Sequence, residues 1–283
     1  MRPRQWPKNA FVFAGIVFDG TLENLAGRVA NTVLAFILLC FMSSAVYLMN
    51  DLADIESDRL HPTKKNRPLP SGKLSTRTAR IASIIFSVGS LAAGFALSFN
   101  FGLILLAYLL IQIAYTFYLK HLVLLDVMAV SSGFILRVAA GVTVIEVQRF
   151  SPWLYVCTGL GALFLALGKR RHELVLLGQG AGSHRAILEE YTLEFVDRLL
   201  TLVSTSALVA YAMYTFLSEG LPQNHVMMWT IPIVVYMLFR LLYLMMVKGD
   251  GGAPEELLLK DRPLQIALLF WCITVVIALY VLS

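Results

Sequence analysis

The sequence predicts an all-α, polytopic membrane protein with nine transmembrane helices, and three observations predict it. Hydrophobic residues fill 58% of the 283 positions and charged residues only 14%, against about 45–50% and about 25% in an average soluble domain. The apolar residues fall in long uninterrupted runs, and a helix needs about 20 of them to cross a hydrocarbon core of about 30 Å. Lys and Arg collect in alternate connecting loops, the mark of a cytoplasmic side. Only helices and closed barrels satisfy their backbone in lipid, and these runs are too long and continuous for barrel strands.

The spans run in order. The first, 9–19, is short and is expected to be tilted or partly interfacial. The second is 29–49. The third and fourth, 78–98 and 101–118, are separated by a tight turn at Ser98, Phe99 and Asn100. The remaining five are 122–144, 152–168, 198–217, 226–247 and 264–282. No soluble domain, repeat or low-complexity tract interrupts them, so residues 1–283 read as a single integral-membrane domain. The stretch Met1–Lys8 is not followed by a small-residue cleavage site, and no removed signal peptide is expected.

With nine spans, the N-terminus and the loops 50–77, 119–121, 169–197 and 248–263 share one side. That side holds Arg2, Arg4 and Lys8, six basic residues in 50–77, then Lys120, Lys169, Arg170, Arg171, Arg185, Lys248, Lys260 and Arg262. The opposite loops hold only Arg28 and Arg149. The N-terminus is therefore expected in the cytoplasm, the C-terminus outside, and the chain in a plasma (inner) membrane. This asymmetry accounts for the net charge of +5 without nucleic acid as a partner. Cys40, Cys157 and Cys272 lie in apolar runs with no metal-ligand spacing and read as packing residues. Apolar outer faces are normal in lipid, so a homo-oligomer is compatible with the sequence but no interface can be read from it.

Chemistry is expected in the two longest loops. The second span ends in Asn50-Asp51-Leu52-Ala53-Asp54-Ile55-Glu56-Ser57-Asp58. At about 100° per residue, a continuing helix places Asn50, Asp51, Asp54 and Asp58 within about 100° of one another, with Glu56 turned away. Hard oxygens on one face suit Mg²⁺ shared with substrate phosphates. The plainer alternative, a solvated helix end, explains the acids poorly, because carboxylates at a helix C-terminus oppose the macrodipole. The loop continues through His61-Pro62-Thr63-Lys64-Lys65-Asn66-Arg67-Pro68-Leu69-Pro70-Ser71-Gly72. Lys64 and Lys65 read as membrane-side anchors, while Arg67 between rigid residues suits a bidentate phosphate contact.

Asn-Asp-x-x-Asp-x-x-x-Asp at a helix end, followed by Arg-Pro-Leu-Pro-Ser-Gly, resembles the UbiA superfamily of intramembrane prenyltransferases. The resemblance implies a nine-helix bundle around a central cavity, with Mg²⁺-bound diphosphate at a cytoplasmic cap and a lateral opening to lipid. Members that prenylate aromatic substrates carry a second motif, Asp-x-x-x-Asp, after the sixth span. Here Lys169-Arg170-Arg171-His172-Glu173-Leu174 stands instead. This run cannot form that metal site; it reads either as an anchor of the sixth span or as a site for a phosphate that a prenyl diphosphate lacks. Lys169 and Glu173 are expected to share a helix face. Along the fifth span Asp126, Gly133 and Arg137 form one stripe, with Arg137 about 16 Å from Asp126. A charge that deep is a functional candidate, or else part of a structural pair within the bundle.

Trp6-Pro7-Lys8-Asn9, Leu119-Lys120-His121 with Leu125-Asp126, Gly133-Phe134-Ile135-Leu136-Arg137 and Gly168-Lys169-Arg170-Arg171-His172-Glu173-Leu174 resemble one branch of that superfamily, the decaprenyl-phosphate phosphoribosyltransferases. The resemblance implies phosphoribosyl pyrophosphate (PRPP) as donor, a polyprenyl phosphate as acceptor, and a product used for cell-wall arabinan (arabinogalactan). On this reading Asn50, Asp51, Asp54 and Asp58 hold Mg²⁺ and diphosphate. Asp54, Asp58, Lys120 and Asp126 are the catalytic candidates, with Lys120 on diphosphate and Asp126 orienting Lys120 or a ribose hydroxyl. Arg67, Tyr115, Tyr118, Arg137, Lys169, Arg170, Arg171 and Glu173, together with Asn50, are the substrate-binding candidates, with Arg137 on the acceptor phosphate. The alternative is a prenyltransferase joining a prenyl diphosphate to an aromatic or other small acceptor. A transporter or a scaffold leaves the acidic face unexplained.

Overall fold

The computed structural model describes residues 3–19, 23–60, 64–147, 150–178, 186–222, 224–248, 257 and 260–282. Arg2, His61, Pro62, Thr63, Arg149 and Arg185 lie outside these residues, as does the side chain of Arg4. Every regular element among the described residues is helical. A 3-10 stretch, Pro3–Phe13, leads into the short α1 (Ala14–Phe18). Then come α2 (Leu25–Ala53), α3 (Ile55–Leu60), α4 (Thr76–Leu97), α5 (Phe99–Phe117) and α6 (Leu125–Val144). The rest are α7 (Pro152–Gly178), α8 (Leu193–Leu217), α9 (Ile231–Met246) and α10 (Arg262–Tyr280).

Eight helical segments among the described residues are long and apolar enough to cross a membrane; the chain is a multi-pass membrane protein. They match the second to ninth expected spans. The first expected span, 9–19, is the 3-10 stretch and α1 instead. It is short in residues but not in reach: eleven residues at about 2.0 Å and five at about 1.5 Å extend about 30 Å, one hydrocarbon thickness. The nine-span reading is compatible with this geometry.

Local chemistry sets the boundaries. Ser75, Thr192 and Asp261 cap α4, α8 and α10, each accepting from the backbone N–H three residues on. Ser98 alone, in extended conformation (φ −160°, ψ 135°), separates α4 from α5. At its other end α7 runs past the expected boundary at 168. Its 27 residues make a rod of about 40 Å, about 10 Å longer than the hydrocarbon core. Lys169 to Leu174 therefore lie on a helix rather than in a loop, because Lys, Arg, Glu and Leu are all good helix formers.

The described residues within Met1–Val17, Thr21–Val147 and Gly180–Ile187 form one compact unit, and those within Phe18–Gly20, Gln148–Gln179 and Leu188–Ser283 form another. In the first, α2 packs on α4 and α5, and the N-terminal 3-10 stretch lies against α2 and α6. Val12, Leu39, Met42, Phe101 and Leu105 fill its core. An eleven-residue 3-10 run is unusual, and here side chains hold it. Trp6 donates to Ser44 Oγ (3.3 Å), Asn9 Nδ2 to Ser43 Oγ (3.2 Å), and Arg137 Nε to Asn9 Oδ1 (2.8 Å). Gly141 lets α6 approach so closely that a Cβ there would stand 1.8 Å from the carbonyl oxygen of Val12.

In the second unit α7 packs on α8 and α9 on α10, around Tyr211, Tyr214, Met227 and Val275. Its exposed side chains are largely apolar, Ile266, Leu269 and Phe270 among them, as lipid contact requires. Cys40 is buried, whereas Cys272 lies on an exposed face of α10 rather than in the packing.

Arg240, late in α9, pairs with Asp261 at the start of α10 (Nη2 to Oδ2, 2.8 Å). That hydrogen bond, with smaller help from the Leu264 N–H and Lys248, holds the Asp261 carboxyl below the usual range against its partial desolvation. A lowered folded pKa stabilises the protein above the unfolded value, near pH 4, and the contribution is lost as pH falls through the folded one. Asp261→Asn keeps an N-cap oxygen but not the charge. It is expected to lower the melting temperature at pH 7, with the difference from the parent shrinking as pH falls below about 4. A deficit of the same size at pH 7 and in acid would refute the pairing.

Candidate active site

The acidic motif straddles a break in the helix. Asp54 leaves helical geometry (φ −97°, ψ 10°), yet its N–H donates to the Asn50 carbonyl (3.0 Å) and its carbonyl accepts from Asp58 N–H (2.8 Å). The helical ladder thus passes through the break. Asp51 and Asp58, seven residues apart, still share a face: Arg67 Nη1 donates to Asp58 Oδ2 at 2.6 Å and to Asp51 Oδ1 at 3.3 Å. Asp54 departs from them, accepting instead from Lys120 Nζ at 2.6 Å. Glu56 points outward and pairs with Arg59 in solvent.

The residues after Arg67 are there to hold it. Its N–H donates to the Lys64 carbonyl (2.9 Å), its carbonyl accepts from Ser71 N–H (3.0 Å), and Leu74 N–H closes on Pro68 (2.8 Å). Gly72 takes φ 77°, which the turn requires of a residue without Cβ. Buried Leu69 pins the loop against Leu48 and Ala79. Lys120 sits on a 3-10 turn, Leu119–His121, between α5 and α6. Leu124 caps α6 at φ 69°, a left-handed conformation that costs a non-glycine residue about 1–3 kcal/mol and clusters at functional sites. Asp126 follows in the first turn of α6, fully buried, where a carboxylate complements the helix N-terminus.

A cavity of about 70 Å³ opens beside the Asp51–Arg67 pair, lined also by Ser44, Tyr47 and Leu48. Sequence reasoning missed Ser44 and Tyr47. Their signal was present, since they lie two turns and one turn, respectively, before Asp51 on the same face. Trp6 reaches this wall through its bond to Ser44.

The remaining expected site residues are placed differently. Tyr115 is half-buried, while Tyr118 at the end of α5 is 72% exposed. Arg137 is buried and enclosed by neutral groups: Asn9 Oδ1, the Gly133 carbonyl (2.7 Å) and the Tyr108 hydroxyl (3.0 Å), with the Tyr108 and Phe134 rings about its guanidinium. In the second unit Arg170 pairs with Glu173 one turn away, the partner expected of Lys169. Arg171 is committed to a clamp: Nε donates to Asp197 Oδ1 (2.6 Å) and Nη1 to the Met245 carbonyl (2.7 Å). It ties α7 to α8 and to the end of α9, which leaves it poorly placed for the phosphate contact expected of it.

The acidic face fits a divalent cation in donor chemistry more than in finished geometry. Among the described residues no three His, Cys, Asp or Glu side chains stand close enough to hold an ion as placed. Yet two hard carboxylates already converge on one positive charge at Arg67, and a third lies on the same helix end.

The model of the UbiA prenyltransferase family matches residues 10–172, more than half of the chain. The chain belongs to the UbiA prenyltransferase family. It is similar to the decaprenyl-phosphate phosphoribosyltransferase of Mycolicibacterium smegmatis, 34% identical over 290 aligned residues that cover 99% of this chain and 91% of that protein. It is also similar to the decaprenyl-phosphate phosphoribosyltransferase of Corynebacterium glutamicum, 35% identical with 100% and 86% covered. The fold is that of UbiA structures: a UbiA homolog from Archaeoglobus fulgidus bound to DMAPP and Mg²⁺ superposes with a TM-score of 0.71, at 19% identity, over 98% of this chain and 96% of that one.

Proposed function

We propose that this UbiA family member transfers the 5-phosphoribosyl group of PRPP to a long-chain polyprenyl (decaprenyl) phosphate and releases diphosphate. The similarity to decaprenyl-phosphate phosphoribosyltransferases over nearly the whole chain carries this reading. The interleaving of acids with Arg67 and Lys120 gives it a physical basis. The product serves the assembly of cell-wall arabinan. We further propose a plasma (inner) membrane location with the N-terminus and the acidic site facing the cytoplasm, where PRPP is found.

Asn50, Asp51, Asp54 and Asp58 would hold Mg²⁺, which supplies charge stabilisation to a diphosphate leaving group. Arg67 and Lys120 take the negative charge that grows on the bridging oxygen as the C1–O bond of the ribose breaks. An oxygen of the lipid phosphate forms the new bond to C1 from the opposite face. It is anionic near neutral pH, so no side chain needs to remove a proton. Asp126 holds Lys120 or a ribose hydroxyl in place. Lys169 and Arg170 are proposed as phosphate ligands.

Offering labelled PRPP and labelled prenyl diphosphate together, with polyprenyl phosphate and an aromatic acceptor present, tests the reading. Label from PRPP is expected in the lipid. Label from the prenyl diphosphate in the aromatic acceptor, and none from PRPP in the lipid, would establish the ordinary prenyltransferase instead.

A further inference from the structure

The acids in this structure are already neutralised. Asp58 is 4% exposed at its side chain and Asp51 10%, and both lean on the one Nη1 of Arg67. Lys64 Nζ stands 3.9 Å from Asp58, and Lys120 Nζ, on a side chain 12% exposed, holds Asp54. Among the described residues, Asp51, Asp54 and Asp58 thus face Arg67 and Lys120 at close range and Lys64 at the limit of contact. A bare divalent cation entering here must push Arg67, 31% exposed, and Lys120, 12% exposed, off their carboxylates and leave both without an anion. A bare diphosphate must approach the same two cations past the acids they serve. Breaking a sheltered ion pair by removing one partner is costly, because a charge is left uncompensated. Only the metal and the diphosphate arriving together let every charge exchange one partner for another: the carboxylates take the metal, and the guanidinium and ammonium take the phosphate oxygens.

We infer that Arg67 and Lys120 are resident counter-ions of the acidic site, and that divalent cation and diphosphate bind to it with strong positive coupling. This rests on the metal–diphosphate role proposed above and adds that the empty protein has little affinity for the ion alone. Coupling is reciprocal, so the metal strengthens diphosphate binding by the same factor. Arg67 sets the size of the effect, since it bridges the two least exposed carboxylates of the acidic motif.

Equilibrium dialysis of the full chain in nanodiscs against radioactive Mn²⁺, with and without inorganic pyrophosphate, measures it directly, because free Mn²⁺ and its pyrophosphate complex pass the membrane. Wild-type protein is expected to hold Mn²⁺ at least about tenfold more tightly with pyrophosphate than without, within the range usual for coupled sites. Arg67→Gln is expected to bind bare Mn²⁺ at least about tenfold more tightly than wild type, and to lose most of the pyrophosphate enhancement. Equal wild-type affinity with and without pyrophosphate overturns the coupling while leaving the metal site standing. So does an Arg67→Gln protein with unchanged or weaker affinity for the bare ion. If no Mn²⁺ is retained under any condition, the metal site itself falls and this inference with it. The wild-type comparison decides the coupling even if Arg67→Gln does not fold.

Discussion

Asp58→Asn is expected to slow phosphoribosyl transfer to polyprenyl phosphate about 10²–10³-fold, the effect of deleting one preorganised electrostatic group from an active site. Asp58 is the least exposed of the motif's acids and makes the 2.6 Å contact with Arg67. Asparagine keeps its size and an acceptor oxygen but not its charge. The variant therefore asks whether charge at this point is needed, not whether the loop packs. Glu56→Gln is the control. Its side chain is 81% exposed and its partner is Arg59, one turn along, so its rate should stay within about twofold of the parent, as exposed pairs contribute little. Initial rates with labelled PRPP in nanodiscs measure both. An Asp58→Asn rate above a tenth of the parent, or an equal loss in Glu56→Gln, would remove the acidic face from the chemistry.

Gly141→Ala is expected to be strongly destabilising for a change of one methyl group. The added Cβ would stand 1.8 Å from the Val12 carbonyl oxygen and 2.7 Å from its carbon. Both are backbone atoms, so no side chain can swing aside. Either α6 or the N-terminal 3-10 stretch must retreat, and with it the hydrogen bonds at Asn9. Overpacking of this kind costs about 1–3 kcal/mol and sometimes more. Gly161→Ala, on α7 with nothing within 4 Å of the new carbon, should by contrast leave stability unchanged or raise it by up to about 1 kcal/mol through helix propensity. Melting temperatures in one detergent distinguish them: Gly141→Ala should fall by several degrees or fail to accumulate as folded protein. Equal melting temperatures would show that the N-terminal stretch does not pack on α6.

Spans two to nine were legible because lipid demands an apolar run of fixed length, and a run of that length is hard to mistake. The first element was harder. Its eleven residues of 3-10 helix are stabilised by Ser43, Ser44 and Arg137, residues far along the chain, and no local period announces them. Helical geometry alone places Asp51 and Asp58 of the motif on one face, as their shared contact with Arg67 requires. The motif's partition could not be read that way: Asp51 and Asp58 go to Arg67 while Asp54 goes to Lys120 because a single residue leaves the helix at Asp54, and because a turn 66 residues away delivers the lysine. Arg171 illustrates the converse. A basic run suggested phosphate, but Asp197 and the free carbonyl of Met245, both invisible as partners in a linear reading, absorb that guanidinium. Composition shows where charges gather, whereas tertiary contacts decide which of them remain available.

The bond between Arg137 and Asn9 joins residues 128 apart. At about 5–20 residues per second of synthesis, the first of these leaves the ribosome on the order of 10 s before the second. The opening stretch can meet Ser43 and Ser44 on α2 early, but its contact with α6 closes only when that helix arrives. That helix in turn enters the bilayer with a cation whose insertion costs about 2.5–3.5 kcal/mol if it is left alone. Asn9 is thus one of three partners that offset that cost, beside the Gly133 carbonyl and the Tyr108 hydroxyl, and it is the one supplied by the earliest part of the chain.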